Sequence, residues 1–127
     1  MNTIRFLLLS LIVTTMMSCG GQSKSKLNLN VMTFNIRMDT PVDSFNAWPN
    51  RKEFAAACIS FYETDIAGLQ EVLHHQLEDL KHYLPEYGTL GVGRYDGKTQ
   101  GEYSAIIYRK DRFDVSESET FWLSEDP

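Results

Sequence analysis

The chain reads as an α/β layered fold, a mixed sheet that carries helices on one face. Three observations predict it. An apolar, strand-like run near residue 30 leads into a segment with helical spacing. A second strand-and-helix pair repeats that order, and from Tyr87 onward the pattern turns to short strands. Hydrophobic residues make up 43% and charged residues 23% of the 127, the balance of a globular chain rather than a disordered one.

Residues 27–36 form the first strand. Leu27, Leu29, Val31, Thr33 and Asn35 share one face and Met32, Phe34 and Ile36 the other. Both faces are largely apolar, so the strand is expected to be covered on both sides. A polar loop spans residues 37–47. The helix "WPNRKEFAAACISFYETD" follows, with Pro49 suited to a first turn and Phe54, Ala55, Cys58, Ile59 and Tyr62 at helical spacing. Trp48 and Arg51, at its start, either brace the loop beside Asn35 or serve packing alone. "DIAGLQE" is a second strand ending in a carboxylate, and "HHQLEDLKHYL" a second helix with Leu73, Leu77, Leu80 and Leu84 on one stripe. Then come "YGTLGVGR", "EYSAIIYR" and "RFDVSESETFWL", read as a meander whose aromatics, Phe121 and Trp122 included, are mostly core. Its last two strands join through a tight "KDR" turn.

The first eighteen residues stand apart. Arg5, an apolar run from Phe6 to Met17 and a small Ser18 describe a secretory signal, and the run is shorter than the ~20 residues a spanning helix needs. "MMSCGG" resembles the lipobox of bacterial lipoproteins, which implies acylation of Cys19, membrane anchoring in the cell envelope, and a flexible polar tether through Lys26. With Cys19 modified, Cys58 is the one cysteine left, so no internal disulfide forms. The net charge of −5 disfavours the broad positive field that drives non-specific nucleic-acid binding.

Two expected strands end in polar residues, "TFNIR" at Asn35 and "LQEV" at Glu71. If the strands are neighbours, the amide and carboxylate converge at one sheet edge and offer hard oxygen ligands suited to Mg²⁺. The alternative from spacing is a solvent-facing carboxylate and an amide that caps a turn. Gly91-x-Gly93 lacks a following helix and does not make a dinucleotide loop. His74, His75 and His82 lie on one helix; His75 and His82 are roughly 10 Å apart at the helical rise, too far to share a zinc.

Taken together, "NVMTFNIRMD", "WPNR", "DIAGLQEV", "GVGRYDGKTQGEYSAIIYRKDRF" and "TFWLSEDP" resemble the endonuclease/exonuclease/phosphatase family over residues 29–127. The resemblance implies a DNase I-like, four-layer α/β sandwich of which residues 27–127 supply the N-terminal half. It implies a metal-dependent phosphoester hydrolase using Mg²⁺, with Mn²⁺ as the alternative ion. Asn35 and Glu71 are then the catalytic and metal-site pair: Glu71 is the direct ligand and Asn35 bonds within the metal and phosphate site. Arg94, Glu102 and Tyr103 lie near the substrate phosphate. The Asp–His pair and Asp-x-Asn segment that complete the family's chemistry are not encoded before Pro127. The chain is thus expected to be inactive alone, as a truncated product or a piece of a longer protein. The other reading is a membrane-tethered, non-catalytic surface protein that keeps part of the fold.

Lipidation has a direct test. Metabolic labelling with a fatty-acid probe should mark the protein, and Cys19→Ala should abolish the label; equal labelling of both would remove the lipoprotein assignment.

Overall fold

The computed structural model describes residues 27–123, so the signal segment, Cys19 and the tether lie outside it. Its strands are β1 (Val31–Asn35), β2 (Ile66–Val72), β3 (Tyr87–Leu90) and β4 (Tyr103–Arg109), and its helices are α1 (Trp48–Phe61) and α2 (His74–Tyr83). A 3₁₀ segment, Pro41–Asn46, precedes α1. The strands form one mixed sheet in the order β1-β2-β4-β3, with β1 parallel to β2 and β4 antiparallel to both its neighbours.

The core lies on one face of this sheet. Ala67, Leu69, Val72, Ala105 and Ile107 meet Ile59 of α1 and Leu77 and Leu80 of α2 in a single buried cluster. α1 buries a narrower stripe than its spacing predicts: Trp48, Ala55, Ala56 and Ile59 are inside, whereas Phe54 and Tyr62 are exposed. The two small alanines let the helix lie close to the sheet, which leaves the bulky neighbours outside. Thr64 donates its N–H to the Ile59 carbonyl and Glu63 to that of Ser60, so α1 stops in a Schellman motif, with Glu63 in the left-handed conformation usually given to glycine.

Two expectations need correction. Residues 112–123 form no strand, and the three last segments are not a simple meander. β4 inserts between β2 and β3, so both its edges are occupied and the chain after its turn finds no free neighbour there. Phe121 is accordingly exposed, and Trp122 lies at the surface rather than in a core. Likewise β1 is covered on its helix side alone among the described residues: Leu29 and Val31 are exposed, because both helices pack on the other face.

At the end of the sheet where β2 begins, Asp65 ties three segments together. Its buried carboxylate accepts from the Asn30 N–H at 2.8 Å and from the Arg112 guanidinium, which also donates to the Asn28 carbonyl. The Asn30 N–H first, and Arg112 second, hold this carboxyl below its ordinary range. A depressed folded-state value means the stabilisation is complete above the unfolded pKa of about 3.9 and is lost as the pH falls through the folded value. Asp65→Asn should therefore melt lower than the parent at neutral pH, and the gap should shrink below about pH 4. Parallel melting curves across that range would refute the clamp.

Candidate functional site

Parallel pairing places Asn35 of β1 opposite Gln70 of β2, one residue short of Glu71. A bulge then brings Glu71 round. Against β4, Leu69 pairs with Ala105 and Val72 with Tyr103, so β2 sets two residues, Gln70 and Glu71, against the single Ser104 of β4. Glu71 takes up the surplus with φ +57°, a left-handed backbone that is uncommon outside glycine. Leu69 and Val72 thus both face the core, and the carboxylate between them swings to the sheet edge.

There the Asn35 amide donates to Glu71 Oε1 at 2.7 Å. Its own Oδ1 accepts from the Arg37 N–H at 2.9 Å, which fixes the amide's orientation. The Met38 N–H points at Glu71 Oε2 from 3.4 Å, and the Arg37 guanidinium lies 3.8 Å from that oxygen while forking onto Asp43. Arg37 also carries a left-handed backbone, φ +60°. Two such residues flanking one hydrogen bond are the kind of local strain that persists where surrounding contacts over-determine it. The Asn35 hydrogen bond, followed by that of Met38 and the charge of Arg37, holds the Glu71 carboxyl below its ordinary range, so it is ionised at neutral pH.

Asn35 and Glu71, predicted to converge, therefore share a hydrogen bond. Arg94, Glu102 and Tyr103 line a neighbouring cleft of about 390 Å³ that Glu71 also borders, together with Trp122, whose indole N–H donates to the Arg94 carbonyl at 2.8 Å. Arg94 is 3.7 Å from Glu102, a loose pairing. Tyr103 is built into the wall. Its buried hydroxyl donates to the Lys98 carbonyl at 2.7 Å, which leaves it to accept from His74 Nδ1 at 3.1 Å, and burial pushes its phenol pKa up. Arg51 reaches from α1 to the carbonyls of Ile36, Arg37 and Asn46, so it braces the loop beside Asn35. Sequence spacing did not single out Arg37 or Gln76; their partners are distant in the chain, and only charge and helix position mark them.

Among the described residues no cluster of three His, Cys, Asp or Glu side chains forms a self-sufficient metal cage. The donor set nevertheless fits Mg²⁺, which needs one or two carboxylates and keeps several waters. Each Glu71 oxygen accepts a hydrogen bond and still has a lone pair to offer. The Asn35 oxygen is turned to Arg37, so this amide supports the carboxylate from beside it.

No family model matches the chain. Solved structures do. The endonuclease/exonuclease/phosphatase from Bacteroides vulgatus is 56% identical, with a TM-score of 0.72 over 75% of this chain and 36% of that one. A mannosyl-6-phosphatase of Bacteroides thetaiotaomicron is 45% identical, with a TM-score of 0.75 over 79% of this chain and 38% of that one. TDP2 of D. rerio with a single-strand DNA product is 23% identical, at a TM-score of 0.52 over 66% of this chain and 30% of that one, and shows likeness of fold alone. The chain thus spans a little over a third of the two bacterial structures.

The wall has a testable cost. Tyr103→Phe strands the Lys98 carbonyl and His74, and should lower unfolding stability by about 1–3 kcal/mol. Urea denaturation with an unchanged midpoint would show that neither bond contributes.

Proposed function

The chain is part of an endonuclease/exonuclease/phosphatase-family domain, and from that premise we propose that it supplies the metal-binding part of an exported, Mg²⁺-dependent phosphoester hydrolase anchored through Cys19. The observation that carries this reading is the Glu71 carboxylate, ionised, oriented by Asn35 and left with free lone pairs at the rim of a cleft. A sugar phosphate is the first substrate class to assay, because the 45% identical neighbour is a mannosyl-6-phosphatase. The acidic net charge points the same way, since a small anion suffers less repulsion than a polyanion.

Glu71 would hold the ion, with Mn²⁺ as the alternative. When bound, it offsets charge that develops on a phosphoryl group. Asn35 keeps the carboxylate in one rotamer without adding charge. Arg94, loosely held by Glu102, is placed to meet an anionic oxygen entering the cleft, and Trp122 gives the cleft an apolar side. Nucleic acid is the disfavoured substrate.

Phosphate release from hexose 6-phosphates, phosphodiesters and DNA should be measured in the full-length protein with Mg²⁺ varied. Glu71→Gln keeps the shape and removes the charge, and should cost more than the 10–100-fold typical of an outer-shell partner. Asn35→Ala should fall within that 10–100-fold range in kcat, with a smaller change in metal affinity. Parental activity of Glu71→Gln at limiting Mg²⁺ would remove Glu71 from the site. A full-length protein that turns over none of the three substrates would favour the non-catalytic surface role.

A further inference from the structure

We propose that Gln76 is the positioning residue of this site, strapping the loop that carries Glu71's partners to the strand end that carries Glu71. The proposal rests on the reading of Glu71 as a metal ligand. Gln76 sits in the first turn of α2 and is 0% exposed. Its Oε1 accepts from the Leu73 N–H at 3.1 Å and the Asp39 N–H at 3.0 Å, and its Nε2 donates to the Arg37 carbonyl at 3.0 Å.

Capping alone explains one of these bonds. A Gln at the third helical position commonly reaches back to the residue before the helix, here Leu73. The other two leave the helix for a loop far away in sequence. They grip it on either side of Met38, whose N–H faces Glu71, and Leu73 is itself two residues beyond Glu71. One side chain therefore sets the spacing between the carboxylate and the backbone that orients it. The task needs a donor and a two-fold acceptor on one uncharged group, which an amide provides and a carboxylate or thioether does not. It also supplies an external restraint for the left-handed backbones of Arg37 and Glu71.

The full chain, as the cell makes it, should be titrated with Mn²⁺ and mapped by backbone hydrogen exchange. Three variants separate the cases. Gln76→Met removes all three bonds at similar volume. Gln76→Glu keeps the acceptor and loses the donor, and is judged by the same readouts if the first does not fold. Tyr87→Phe loses a buried bond to the Thr64 carbonyl, away from the site, as a stability control. Gln76→Met should weaken Mn²⁺ about tenfold, with Gln76→Glu between it and the parent, and should speed exchange at residues 37–39 before the rest of the sheet. Tyr87→Phe should leave Mn²⁺ affinity unchanged. Parental Mn²⁺ affinity in Gln76→Met, or exchange that quickens evenly across β2 and α2, would reduce Gln76 to a helix cap. If the parent itself binds no Mn²⁺, the metal reading of Glu71 fails, and the exchange pattern alone decides whether Gln76 positions the loop.

Discussion

Between Leu69 and Val72 the central strand carries one residue more than its antiparallel partner can match, and that surplus decides where Glu71 points. In a regular strand, side chains alternate, and Glu71 would share the helix-packed face with Leu69. A carboxylate there would lose its water without a partner, at a cost no hydrophobic contact offsets. The bulge removes the conflict and delivers the carboxylate to the Asn35 amide. Arg37 and Met38 then reach the carboxylate, Arg51 braces their loop, and Gln76 holds that loop at its spacing.

Part of this was legible in the sequence. Asn35 stood out as an amide inside an apolar alternation, and Glu71 as the charge that ends an apolar run. Strand and helix order followed from periodicity, and of the stripe Leu73, Leu77, Leu80 and Leu84 the last three are buried while Leu73 is half-buried. The bulge was hidden, because "LQEV" with an extra residue and "LQEV" without one have the same composition. The place of β4 was hidden too. Sequence order suggests that consecutive strands pair in turn, but β4 joins β2 as well as β3, which leaves residues 112–123 without the partner they were expected to have. Gln76 carried no signal in the sequence, since its loop partners are more than thirty residues away in the chain.

The ion pairs near the site differ in strength by geometry rather than by number. Arg37 forks onto Asp43 with two bonds of 3.1 Å, so its charge is directed and only partly shared with Glu71. Arg94 lies 3.7 Å from Glu102 and donates to the Tyr95 hydroxyl at 3.3 Å, with its own side chain 48% exposed, an arrangement worth little in water. An incoming anion would exchange that weak pairing for its own at small cost, whereas drawing Arg37 away would also disturb the carboxylate. Of the two cations near Glu71, Arg94 in the cleft is thus cheap to recruit, and Arg37 outside it is committed to support.

The insertion of β4 between β2 and β3 also orders events in time. As the chain leaves the ribosome, β1, α1 and β2 emerge first, and β2 then has one paired edge. The bulge is defined by the mismatch with β4, so it has no template until Arg109 has cleared the exit tunnel. Until then Glu71 belongs to a strand free to extend regularly, and the orientation it needs is imposed late, by a strand about thirty residues further along the chain.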